Sequence, residues 1–197
     1  RDEDPPPPDP AQPPPNVPPA PNNNNPPSEP EAPRVTWGSS LKEAVGSSEG
    51  KALLIYVVSS GDAGDATGFQ NIEAVRTINE RFVAVKLIFS KDNEEAASLG
   101  VKTVPVLIGA DAHGNEFRRF SGRPGTEDLK VFVKYVLESI AAYEKKLKDD
   151  LARAQALLDA KEIDRGFAAL VPIGQETRRG YSEIAAAQEK IRSLAEG

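Results

Sequence analysis

The sequence predicts an α/β protein in three parts: a disordered proline-rich spacer over 1–33, a mixed sheet with flanking helices over 34–140, and a helical extension over 141–197. Three observations carry this. Two apolar, β-branched runs, Ala52 to Val58 and Phe82 to Ile88, bracket a stretch of helical periodicity, the pattern of parallel strands joined by a crossover. A third apolar run, Val104 to Ile108, is followed by turn residues and a short returning strand, Glu116 to Phe120. Of the 18 prolines, only Pro105, Pro124 and Pro172 lie beyond residue 33.

The first part is a different material from the rest. Val17 is its only large apolar side chain, so it cannot bury enough surface to offset the entropy of ordering. Runs such as Pro5 to Pro8 and Pro13 to Pro15 favour a stiff, extended polyproline conformation, and Asn22 to Asn25 interrupts it, which suits a spacer. The same strings would also fit a proline-recognising groove. The net charge of −6 argues against a nucleic-acid or anionic-membrane partner, because binding phosphate needs a clustered positive surface. No run is long and apolar enough to span a bilayer. The chain begins at Arg1 and contains no Met, so a processed N-terminus is expected. A removed signal peptide, or a membrane tether upstream of residue 1, would make the domain periplasmic or envelope-anchored, with 1–33 as its spacer.

The ordered part reads element by element. Val35 to Trp37 is a short apolar lead-in, and Ser40 with Glu43 forms a capping box for a helix reaching about Ser47. Ala52 to Val58, apolar on both alternations, is a central strand buried on both faces. A glycine-rich acidic loop, Ser59 to Gly68, follows, and Asn71 caps a helix with Ile72, Val75 and Ile78 on its inner face. Phe82 to Ile88 is the next parallel strand, and Glu94 to Leu99 a short helix stopped by Gly100. Pro105 inside Val104 to Ile108 removes a ladder donor, which points to a bend or a cis bond. Asp111 to Asn115 turns the chain back, and a helix begins near Glu127.

In order and in residues, about Arg34 to Ile140 resembles the thioredoxin family, and the fold is identified as thioredoxin-like. Ile55-Tyr56-Val57-Val58 stands where the strand before the active site stands, Val101-Lys102-Thr103-Val104-Pro105 matches the segment holding the family's cis-proline, and Gly122 matches the glycine after the last strand. The resemblance places the Cys-x-x-Cys positions at Asp62 and Asp65. There the family's helix dipole would activate a thiolate. With no cysteine in the chain, thiol–disulfide exchange is excluded and the member is redox-inactive. The resemblance further implies that Thr103, Val104 and Pro105 form an edge facing the active-site loop, where backbone groups pair with an extended peptide. The leading function is therefore a non-catalytic protein-binding or scaffolding module, with no cofactor and with a protein or extended peptide as partner.

Other readings of the same residues stay open. Asp62 and Asp65 near a helix start gain from the dipole and from capping, so loop chemistry alone accounts for them. With Asn71 they are also oxygen donors for a hard cation, although the spacing does not match a dedicated calcium loop. As a carboxylate pair they could serve acid–base hydrolysis, given a deep cleft and unequal pKa values. A thioredoxin-like domain followed by helices is also similar to glutathione transferases, which bind glutathione through hydroxyls, and Ser59 and Ser60 lie near the corresponding loop. The helical part is too short for that family, and Arg119-Phe120-Ser121 stands where its acidic–serine pair belongs. His113, the single histidine, falls in a turn and is expected at the surface; Arg118 and Arg119 should point to opposite faces of an edge strand, so that with Arg123 they make no true patch.

From Glu127 the three-or-four spacing of Leu129, Val133, Val136, Ile140, Tyr143, Leu147, Leu151, Ala154 and Leu158 predicts one long helix up to Lys161. Its first half should pack on the sheet. Its second half needs a partner, which Ile163, Phe167 and Leu170 on a short helix, and Ile184, Ala187, Ile191 and Leu194 on another, could supply. The arrangement is faintly similar to a fragment of a tetratricopeptide array. A cap internal to the domain and a homodimer seam or docking face through the extension are both compatible with it.

Overall fold

Five strands in the order β1-β3-β2-β4-β5 form the sheet, with β1 to β3 parallel and β4 and β5 antiparallel. A computed structural model describes residues 32–61, 66–90 and 92–196, so residues 1–31 of the spacer expected over 1–33 and the expected Asp62 and Asp65 positions lie outside the described residues. The strands are β1 (Trp37–Gly38), β2 (Ala52–Val58), β3 (Phe82–Ile88), β4 (Val106–Ala110) and β5 (Glu116–Ser121). The helices are α1 (Leu41–Gly46), α2 (Ile72–Arg81), α3 (Glu94–Ser98), α4 (Thr126–Asp159), α5 (Ile163–Gly174) and α6 (Ser182–Glu196), with a 3-10 turn at Thr67–Gln70. This is the mixed sheet with flanking helices that the sequence predicts, and α4 runs without a break from the sheet into the extension.

Every residue of β2 is buried, because the strand is central and covered on both sides. Alternation divides it: Leu54, Tyr56 and Val58 face Val75, Ile78, Leu129, Phe132 and Val136 of α2 and α4, while Leu53, Ile55 and Val57 face Ala44 of α1 and Ala96 of α3. Two cores thus flank one sheet. Burying a side chain such as Leu54 or Ile55 stabilises by about 2 kcal/mol, so neither face of β2 tolerates a charge.

Four local expectations are corrected. Ile72, placed on the inner face of its helix, is 48% exposed; Asn71 caps α2 by accepting from Ala74 N–H, which makes Ile72 the first helical residue and turns the inner stripe to Ala74, Val75 and Ile78. Ser40 does cap α1, accepting from Glu43 N–H at 3.2 Å, but the first-turn donors go to Glu95 of α3, whose carboxylate accepts from Leu41 N–H at 2.8 Å, Lys42 N–H at 2.9 Å and the Ser40 hydroxyl at 3.0 Å. Burial pushes the Glu95 carboxyl up, and these donors more than offset it, so it sits below the usual carboxylate value. The third apolar run starts its ladder at Val106 rather than Val104, whereas the bend or cis bond expected at Pro105 is present as both: residues 103–105 form a bend ahead of the strand, and the Val104-Pro105 bond is cis. Ile163 and Phe167 are 49% and 37% exposed, since the centre of the inner face of α5 falls on Gly166, Leu170 and Ile173; the helix also continues through Pro172 to Gly174.

The apolar stripe on the second half of α4 is covered within the chain. Leu147, Ala154 and Leu158 pack with Leu170 and Ile173 of α5 and with Tyr181, Ile184 and Ala187 at α6. A third core results, separate from the two that flank the sheet. It is fastened to the β4–β5 turn by polar contacts. Asp111, only 2% exposed, accepts from His113 N–H, from both Asn115 N–H and its Nδ2, and at 2.7 Å from the Tyr181 hydroxyl. Asn115 closes the contact by bonding both the carbonyl and the N–H of Arg179. Gly180, at φ +88°, lets the chain pass under His113: a Cβ there would lie 2.2 Å from the imidazole ring.

Candidate functional site

The carboxyl end of β2 and the amino end of β4 meet at one end of the sheet. Val57 pairs with Val106, so the antiparallel register brings Ser59 and Val104 to neighbouring positions just beyond the last ladder pair. Thr103 is exposed, and Val104 and Pro105 are half-buried. Val104 rests its side chain on the core behind Val57 and Val106, and the Pro105 carbonyl accepts from Gly122 N–H at 2.8 Å. The segment is therefore held at both its side chain and its last carbonyl. Among the described residues, no backbone–backbone hydrogen bond engages Thr103 or Val104. Thr103, Val104 and Pro105 thus lie together as a fixed, partly open stretch of backbone.

The 3-10 turn at Thr67–Gln70 is pinned against the start of α4. Gly68 donates to the Pro124 carbonyl at 3.1 Å, and a Cβ on it would sit 2.7 Å from the Gly125 carbonyl oxygen, so only glycine lets the 3-10 turn approach the start of α4 this closely. The Asp128 carboxylate accepts from Gly125 N–H and sets the first turn of that helix. Next to this turn, Trp37, Tyr56 and Phe69 form an aromatic triangle with ring centroids 5.1 to 6.0 Å apart, and Lys86 Nζ lies 6.0 Å from the Tyr56 ring. Nothing in the sequence pattern singles out this triangle as a unit. The alternation of β2 does send Tyr56 to the α4 face, but Trp37 and Phe69 come from separate segments and no spacing rule joins them.

The remaining candidates fall into place around this end and away from it. Asn71 stands at the start of α2 with its Oδ1 committed to Ala74 N–H at 2.9 Å. Ser59 and Ser60 are exposed where β2 leaves the sheet. His113 is exposed and packs edge-on against Tyr181 with ring centroids 5.6 Å apart, at the opposite end of the sheet. Arg118 lies over the Tyr135 ring of α4, whereas Arg119 turns to the other face, bonding Glu116 at 2.6 Å and the Leu99 carbonyl at 2.7 Å. The two arginines are thus on opposite sides of the edge strand. Among the described residues, this end of the molecule presents the Thr103 and Val104 backbone, the Ser59 and Ser60 hydroxyls and the packed Val104 side chain.

Solved structures similar to this chain include the DsbH oxidoreductase, at 20% identity over 58% of this chain and 93% of that one with a TM-score of 0.45. A putative disulphide-isomerase from Bacteroides thetaiotaomicron matches at 23% identity over 55% and 98%, with a TM-score of 0.44. Thioredoxin f from spinach chloroplast matches at 14% identity over 55% and 97%, with a TM-score of 0.40. No protein-family model matches the chain, and no curated protein matches its sequence.

Proposed function

From a thioredoxin-like fold built without a single cysteine, we propose a non-catalytic module that binds an extended peptide segment of a protein partner along residues 103–105. The observation that carries this reading is the state of Thr103 and Val104: an exposed and a half-buried residue, held through the Val104 side chain and the Pro105 carbonyl, with no backbone hydrogen-bond partner among the described residues. An added strand would satisfy those groups by main-chain hydrogen bonds, which supply affinity, while the rest formed by Val104 receives one side chain of the partner. Because the segment is already held by its packing and by Gly122, little ordering is required of it on binding.

The test is selection of unstructured peptides on the whole chain from a random display library, followed by titration with amide resonances as the readout. Selected peptides should shift the Thr103 and Val104 amides, and Thr103→Pro, which removes one donor at an exposed position, should weaken them by about tenfold with the thermal midpoint unchanged. Binding that leaves those amides unmoved and is insensitive to Thr103→Pro would place the partner elsewhere.

A further inference from the structure

Three strand ends line up beside the backbone that Thr103 and Val104 leave without a partner. Val58 pairs with Ile88, and Phe89 N–H donates to the Val58 carbonyl at 2.7 Å, which carries the parallel pairing one residue past the ladder and sets Phe89 next to Ser59. Ser59 in turn neighbours Val104 through the antiparallel register of Val57 with Val106. Phe89, Ser59 and Val104 therefore stand in a row across the ends of β3, β2 and β4. Two strand spacings, about 10 Å at the backbone, separate the first from the last.

The row lies on one face of the sheet. Val85 and Leu87 of β3, Ile55 and Val57 of β2, and Val106 and Ile108 of β4 all belong to the core under α1 and α3, and alternation sends Phe89, Ser59 and Val104 to that side. Val104 does pack on this core. Phe89 stays 37% exposed, whereas Phe69, Phe82 and Phe132 are 5%, 3% and 3% exposed. Its backbone is nonetheless fixed, by its own bond to Val58 and by Asn93, whose Nδ2 donates to the preceding carbonyl of Ile88 at 2.9 Å. An aromatic side chain on a fixed backbone thus keeps apolar surface in water, continuous with the open backbone and with only the small, exposed Ser59 between it and Val104.

We infer that Phe89 sets the specificity of the peptide edge: the extended segment bound at Thr103 and Val104 carries one large apolar side chain that lies over Ser59, between the Phe89 ring and Val104. This rests on the peptide-binding reading above and adds the class of side chain that the site selects and the residue that selects it. Main-chain hydrogen bonds are the same for every sequence, so they supply affinity without choice, and the choice falls to the side chains beside them. A leucine or phenylalanine there removes apolar surface of the ring from water. A serine leaves the ring exposed, and a lysine or glutamate loses hydration against two apolar neighbours. Ile88 is also exposed, at 42%, but alternation places it on the face of α2 and α4, off the row.

The experiment is an amide-resonance titration of the full chain with blocked heptapeptides Ser-Thr-Thr-X-Thr-Thr-Ser, in which X is leucine, phenylalanine, lysine or serine. All four should shift the Thr103 and Val104 amides, and the leucine and phenylalanine peptides should also shift Phe89 and bind about tenfold tighter than the serine peptide. Phe89→Ala should reduce that preference to less than about threefold while leaving the serine peptide's affinity unchanged, which also reports an intact fold. Phe89→Leu should restore the preference, and Ile88→Ser should leave it as in the parent. Equal binding of the four peptides, tightest binding of the lysine peptide, or a preference that survives Phe89→Ala overturns this assignment and leaves the peptide edge standing. No shift at Thr103 and Val104 with any of the four, up to concentrations on the order of 10 mM, overturns both.

Discussion

At its carboxyl end β4 runs into Asp111, a nearly inaccessible carboxylate that gathers donors from its own turn and from Tyr181, 70 residues away in sequence. At its amino end the same strand emerges from Thr103 and Val104, whose backbone has no partner among the described residues. One end is a fastening and the other an opening. The difference teaches where this fold commits its polar groups: the contacts that hold the helical extension are made at the end remote from Thr103 and Val104, so the extension is secured without covering them. A buried carboxylate with matched donors is rigid, because any loss leaves desolvated groups behind. Backbone without a partner, beside a packed Val104, is what the proposed peptide strand would pair with.

The contrast can be broken by attacking the fastening. Asp111→Ala leaves two N–H groups, an amide and a phenol without their acceptor and should lower stability by about 3 kcal/mol, seen as a fall in the urea midpoint. A loss below about 1 kcal/mol would mean that the turn and the extension do not depend on each other. Tyr181→Phe removes one bond to a charged acceptor and should cost about 1.5 kcal/mol.

Tyr181 also sets a pH dependence. Burial, and then the Asp111 carboxylate beside it, hold the phenol proton far above its ordinary value of 10.0. The unfolded chain releases that proton near its ordinary pKa while the folded chain keeps it, so the stabilisation is complete below about pH 10 and is lost as the pH rises beyond. Urea midpoints measured from neutral pH upward should fall less steeply in Tyr181→Phe than in the parent; a residual slope is expected, because burial raises Tyr143 as well. The smallest effect is at Arg178, whose guanidinium lies 4.7 Å from the Phe117 ring centroid and 4.4 Å from that of Tyr143. Arg178→Ala should cost about 1 kcal/mol in the same assay.

Arg178 also shows how the extension reaches the sheet. The ladder between β4 and β5 shifts register at Gly109/Ala110, so Glu116 pairs with Ala110 and Arg118 with Gly109. The extra residue is Phe117, and the irregularity brings it to the α4 side with Arg118, where it meets Tyr143 at 5.7 Å. Strict alternation along Glu116 to Phe120 would have sent Phe117 to the other face. The bulge is a tertiary feature with no signature in those five residues.

Strands β2 and β3 and the long helix α4 are legible in the sequence because their information is local. A continuous apolar run or a sustained three-or-four spacing specifies its own geometry wherever it packs. The caps are half legible. Ser40 and Asn71 act as their positions predict, but the acceptor for the first turn of α1 is Glu95, across 54 residues from Leu41. Ile72, Ile163 and Phe167 depart from expectation for a related reason: spacing identifies a stripe, while the angle at which a helix meets its neighbour decides which edge of that stripe is covered. Of the candidate site, Thr103, Val104 and Pro105 are legible through resemblance, and Asp62 and Asp65 lie outside the described residues.

By itself the sequence determined the α/β character, the central strand, the helical extension and, through the absence of any thiol, a chemistry that this chain does not perform. The tertiary structure alone decided what covers the second half of α4, which carboxylates receive buried donors, and that Phe89, Ser59 and Val104 stand in a row across one end of the sheet. Periodicity is a property of neighbours along the chain, readable from a few residues. Hydrogen bonds and neighbouring strand ends join groups separated by tens of residues, and their existence depends on how the whole chain returns upon itself.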